Sequence, residues 1–163
     1  MPLVIKAHLG SRQVSRIVYG VIIGLAVIVA LDQHPPSSGV VIATLLGTAV
    51  AVGLAEVYSE IVGTETRKRR HVSRADLPDM VYDGVAVAFG IAFPAVFFVL
   101  AAADAIEQDT AFTIAAWSGL GLISFYGFCA ARLAGESPVF SVLQALGVGL
   151  IGAILIVLKA LLH

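Results

Sequence analysis

Polar and charged residues in this chain are gathered into short stretches between long apolar runs, and that segregation constrains the fold more than any single motif does. A helix of about 20 apolar residues spans the hydrocarbon core of a bilayer, where only helices and closed barrels satisfy their own backbone groups. Five such runs can be drawn, over 17–31, 39–62, 82–103, 110–132 and 138–162. Composition agrees with a lipid setting. Of 163 residues 59% are hydrophobic and 13% charged, with a mean hydropathy of +0.97, too little polar surface to coat a soluble globule. The expectation is an all-α polytopic membrane helix bundle: five transmembrane helices in one domain over 1–163, with the lipid bilayer as its partner.

The first run is short for a span, so its helix is expected to begin earlier, with Arg12 and Arg16 snorkelling outward. A cleaved signal peptide is the rival reading. The boundary after Leu31, Asp32-Gln33-His34-Pro35-Pro36, lacks the small residues that a peptidase requires, so the helix is read as retained.

Lys and Arg beside spans stay on the cytoplasmic side. In a five-span arrangement Lys6, Arg12, Arg16, Arg67, Lys68, Arg69, Arg70, Arg74 and Arg132 fall on one side, and only Lys159 on the other. The opposite loops hold Asp32, Asp104, Glu107 and Asp109. This bias predicts an integral protein of a bacterial cytoplasmic membrane, with its amino terminus in the cytoplasm and its carboxyl terminus outside. The formal net charge of -1 thus conceals a separation of sign. The basic run 67–70 reads as a topology signal beside anionic headgroups, with no nucleic-acid partner implied. A single cysteine, Cys129, excludes an intrachain disulfide.

Punctuation between the runs fits helix ends. Ser37 and Ser38 follow a Pro-Pro turn as caps for the second helix, Asp109 and Thr110 offer caps for the fourth, and Gly135 precedes a Ser137-Pro138 start for the fifth. The longest polar segment, 64–81, is a cytoplasmic basic loop in which Ser73 and Asp76 have capping-box spacing and Leu77-Pro78-Asp79 forms a turn. Gly20 with Gly24, Gly47 with Ala51 and Ala115 with Gly119 are small residues four apart, the spacing that lets helices approach closely in lipid, within a protomer or across a dimer. Pro94 should kink the third helix. Tyr19, Tyr58, Tyr82 and Tyr126 fall toward the cytoplasmic ends, as in an interfacial belt.

Ionisable groups at membrane depth are costly unless paired or wetted, and are therefore the first functional candidates. Glu56 lies inside the cytoplasmic end of the second helix and Glu60 follows one turn later on the same face. Two carboxylates so placed offer oxygen ligands to a divalent cation, and their mutual repulsion favours a proton on one of them. The plainer reading pairs Glu60 with Arg67 or Lys68 and leaves Glu56 bonded to a neighbouring helix. Tyr58 could join a site beside Glu56. Asp83, read in the first turn of the third helix, is either a ligand or an anion stabilised by the helix dipole. Gln144 is the costliest of the remaining buried polar groups. The ion-binding candidates are therefore Glu56, Glu60, Tyr58, Asp83 and Gln144, with Glu56 and Glu60 as metal ligands. No phosphate-cradling loop, thiolate cluster, paired-histidine motif or nucleophile elbow is present, so the chain is read as no enzyme, with no covalently bound cofactor. The expected function is a membrane transporter or channel for a cation, a divalent metal or a proton-coupled ion. The alternative is a non-transporting structural or accessory membrane protein.

Several segments together resemble the vacuolar iron transporter family (VIT-like proteins). They are Gly53-Leu54-Ala55-Glu56-Val57-Tyr58-Ser59, Phe93-Pro94, Arg132-Leu133-Ala134-Gly135-Glu136-Ser137-Pro138, and Gly147, Gly149 and Gly152 in the last run. The resemblance implies a five-helix fold of the same orientation, a homodimer with a metal path between protomers, and proton-coupled export of iron or manganese from the cytosol. Glu56 is the one match to a transport residue. Tyr19 stands where the family has a first-helix aspartate and Val52 where it has a methionine, and the family's glutamate-rich insertion is reduced to the basic segment 67–74. The ending Leu158-Lys159-Ala160-Leu161-Leu162-His163 is similar to that of small actinobacterial five-helix membrane proteins.

Overall fold

The computed structural model describes residues 12–69, 71–133, 135–143 and 145–147, with residues 150 and 154. Among these the chain is helical, without strands. The helices are α1 (Arg12–Leu31), α2 (Ser38–Lys68), α3 (Leu77–Ala92), α4 (Ala95–Ala102) and α5 (Gln108–Leu133), followed by a shorter apolar helix, α6 (Pro138–Gly147). Three of them are long and apolar enough to cross a membrane, or four spans if the bent pair α3 and α4 is one. Beyond Gly147, only residues 150 and 154 of the expected fifth span are described. α1 is rich in Val and Ile, which in water favour strands; in hydrocarbon each backbone group must bond within its own segment, and the same sequence winds as a helix.

Boundaries differ from expectation in informative ways. α1 begins by Arg12, ahead of the apolar run that opens at residue 17, the earlier start that so short a run called for. α2 continues to Lys68 instead of stopping at 62; its 31 residues make about 46 Å of helix, longer than the hydrocarbon core. α3 starts at Leu77, because Pro78 is accommodated in the first turn, where no N–H is needed, instead of ending a turn before the helix. The polar loop between α2 and α3 is correspondingly shorter than 64–81. In it Asp76 Oδ2 accepts from the Ser73 N–H at 3.3 Å and from the Ser73 hydroxyl at 3.0 Å.

Ser37 occupies the N-cap of α2 but makes no side-chain cap bond. The neighbouring Ser38 hydroxyl donates to Gln108 Oε1 at 3.3 Å, and Gln108 Nε2 donates to the Pro36 carbonyl at 2.5 Å, tying the α1–α2 turn to the start of α5. α5 ends in a left-handed closure on Gly135, φ +87°, with the Glu136 N–H on the Ala131 carbonyl at 3.1 Å. Ser137 caps α6 by accepting from the Phe140 N–H at 3.2 Å.

α3 is the centre of the bundle, packed between α1 and α2. Glycines set both crossings. A Cβ on Gly90 would lie 2.5 Å from the Ile17 carbonyl oxygen and 2.7 Å from the Val21 nitrogen, and one on Gly84 would lie 2.7 Å from the Gly53 carbonyl oxygen. Gly20 and Gly24 meet α3 in the same way. These small-residue faces therefore join helices within the chain, as lipid demands of helices that gain little from hydrophobic burial. Among the described residues nothing approaches within 4 Å of the position a Cβ would take on Gly47.

At Pro94 the chain bends by 44°. Proline cannot donate to the carbonyl four residues back, and the turn closes instead with the Val96 N–H on the Phe93 carbonyl at 3.4 Å and the Phe97 N–H on the Pro94 carbonyl at 3.1 Å. The bend sends α4 between α2 and α5. There Phe98 and Phe112 meet edge to face, centroids 4.7 Å apart, in a core with Ile28, Val41 and Leu45. Outward faces are apolar: Val50 is 62% exposed, Leu54 66% and Trp117 63%. Such a surface suits lipid and would be a liability in water.

Candidate functional site

The end of the bundle opposite the Phe98 core is organised by charge. Glu56 and Glu60 lie one turn apart on the face of α2 turned to the bundle, and Asp83 of α3 is buried beside them. α3 begins at Leu77, so Asp83 stands in its second turn and not its first; Asp79 holds the place near the positive end of the helix. Glu56 is about 27 Å along the helix axis from Ser38, near the edge of a hydrocarbon core that starts there.

Arg16 of α1 reaches all three carboxylates. Its Nη1 contacts Glu56 Oε1, its Nη2 lies 3.5 Å from Glu60 Oε2, and its Nε lies 3.8 Å from Asp83 Oδ2. Only the Glu56 contact is a direct charge-assisted hydrogen bond; the other two are ion pairs at distances too long for one. The planar guanidinium, with donors on three nitrogens, suits a cation that must face three carboxylates at once. The Arg16 side chain is 26% exposed, against 14% for Glu56, 16% for Glu60 and 8% for Asp83, so the pairs are screened far less than surface bridges. Arg67 Nη2 also lies 3.6 Å from Glu60 Oε1, but its side chain is 71% exposed and the pair adds little.

A cavity of about 200 Å³ adjoins the cluster between α2 and α3. Glu60, Thr64 and Lys68 line it from one helix, and Asp76, Asp79, Met80 and Asp83 from the other side. Glu60 and Asp83 thus face both the cavity and Arg16. Among the described residues no three His, Cys, Asp or Glu side chains are grouped so as to hold a metal ion.

Of the residues singled out in the sequence, Glu56, Glu60 and Asp83 come together. Tyr58 does not join them: two residues from Glu56, it is turned about 200° around α2 and is 69% exposed on the outer face. Gln144 lies outside the described residues. Glu60 does pair with Arg67, and Glu56 bonds to a neighbouring helix, contacts that the plainer reading of the pair anticipates. The sequence reading missed Arg16, assigned to outward snorkelling. The signal was available: buried carboxylates demand a cation, and Arg16 is the basic residue one turn before Gly20, where α1 crosses α3. Thr64, placed in the polar loop, is instead a buried residue of α2.

The fold and site define an all-helical protein whose long apolar helices suit a membrane, with an ion-paired carboxylate cluster at one end. No family model, curated protein or solved structure matches the chain.

Proposed function

We propose that this protein is a membrane transporter or channel for a cation, a divalent metal or a proton-coupled ion, and that the carboxylates of α2 with Asp83 form its ion site. The observation that carries this reading is the convergence of Glu56, Glu60 and Asp83 on one guanidinium beside an acid-lined cavity, in an otherwise apolar bundle. A bundle that needed only packing could fill the same space with apolar side chains at no desolvation cost. The proposal includes five spans with a VIT-like arrangement, a homodimer, and residence in a bacterial cytoplasmic membrane. The basic end, with Arg16, Arg67 and Lys68, faces the cytoplasm and the carboxyl terminus lies outside, following the bias of Lys and Arg.

A second reading, a non-transporting structural or accessory protein, draws on the same Arg16 contacts, which clamp α1, α2 and α3 together. Flux separates the two. Wild-type protein reconstituted in liposomes should carry at least one divalent or proton-coupled cation saturably, and Glu56→Gln should abolish that flux. Absence of saturable flux across such a panel favours the clamp.

A further inference from the structure

Glu60 and Asp83 are shared by two surroundings. On one side Arg16 places a fixed positive charge 3.5 and 3.8 Å from them; on the other the cavity of about 200 Å³ opens. Thr64 points to what the cavity receives. Thr44 and Thr66, on the same helix, turn their hydroxyls onto the carbonyls of Val40 and Val62, each at 2.8 Å, as a threonine in an apolar helix does. Thr64 is only 5% exposed, lines the cavity, and bonds none of the described residues. Its oxygen is not sealed from solvent, so water or an ion in the cavity can bond it.

The dimensions suit a hydrated ion. Six waters at about 30 Å³ each fill roughly 180 Å³, so the space admits a small divalent cation that keeps its first shell. Carboxylates and a hydroxyl can bind such an ion through its waters, without the convergence of three ligands that a bare ion requires.

We propose that Arg16 is a tethered cation closing the carboxylate site, and that a hydrated divalent cation entering the α2–α3 cavity displaces it from Glu60 and Asp83. The inference rests on the cation-transport reading and adds the residue that gates it. A guanidinium attached to the bundle competes at a high effective concentration, so the closed site binds weakly and opens only when an ion is present.

The test is Mn²⁺ binding, followed by electron paramagnetic resonance, to the full chain in nanodiscs of zwitterionic lipid, which leaves headgroups without net charge. Wild-type protein should bind Mn²⁺ saturably. Arg16→Gln should tighten binding about tenfold by removing the competitor, and Arg16→Gln with Asp83→Asn should lose that gain. Thr64→Val, nearly isosteric and without the hydroxyl, should weaken wild-type binding about threefold. A folded Arg16→Gln protein with wild-type affinity overturns the gate. If Arg16→Gln does not fold, Thr64→Val decides: unchanged Mn²⁺ affinity overturns the proposal, and weakened affinity supports it. Failure here is distinguishable from failure of the transport reading. Glu56-dependent flux with Mn²⁺ affinity indifferent to Arg16 removes the gate alone, whereas Arg16-sensitive binding without flux removes transport alone.

Discussion

The two ends of this bundle are held by different physics. At one, Phe98 and Phe112 interlock with Ile28, Val41 and Leu45, and the turn is pinned by Gln108. At the other, three carboxylates surround Arg16, and an acid-lined cavity interrupts the packing. In between, Gly90 and Gly84 let the backbones of α1 and α2 close on α3. A packed end is rigid because each methyl group has one place to go. A charged end can change partners, since a carboxylate accepts a guanidinium, a proton or a hydrated metal ion with similar geometry. Structure is concentrated at one end, and exchangeable interactions at the other.

The comparison breaks first if the middle is not what joins the ends. Gly90→Leu, which drives a side chain into the Ile17 carbonyl and the Val21 nitrogen, should abolish recovery of monodisperse protein on size exclusion, whereas Gly47→Leu, with open space around it, should elute as wild type. Equal behaviour of the two would mean that the α1–α3 crossing is not required. Next in size is Phe98→Ala, which leaves a cavity in the apolar core and should cost about 3 kcal/mol in denaturant titration while sparing flux per folded molecule.

Smaller is Arg16→Gln, expected to cost about 1–2 kcal/mol, because its partners are partly buried but not sealed from water. Adding Glu56→Gln should return part of that loss, a coupling that a double-mutant cycle measures. Strictly additive losses would show that the contact contributes nothing to stability. Smallest is Tyr58→Phe, which should change stability and flux by less than about 0.5 kcal/mol equivalent, since its side chain points away from the cluster. A large loss of flux in that variant would place Tyr58 back in the site.

Much of the framework was legible from hydropathy, because in lipid an apolar run has few alternatives to a helix. The break at Pro94 was equally plain, since a missing N–H acts locally. Helix ends were less so. Pro78 is read as a turn by its neighbours but sits in a first turn just as well, and that choice moved Asp83 from the dipole's positive end into the buried second turn. The small-residue spacing announced close contacts without naming partners: Gly20 and Gly24 serve the α1–α3 crossing, while Gly47 serves none among the described residues. Glu56 and Glu60 stood out because charge in an apolar helix is visible at a glance. Arg16 did not, because a basic residue near a helix start has a bland explanation, and only tertiary packing shows that it faces Glu56, Glu60 and Asp83.

The carboxylate site is tested most directly by cation flux per folded molecule for Glu56→Gln in proteoliposomes, beside wild type and Phe98→Ala. Glu56→Gln should lose flux with its fold intact, and Phe98→Ala should lose stability with its flux intact. Wild-type flux persisting in a folded Glu56→Gln protein would contradict that site.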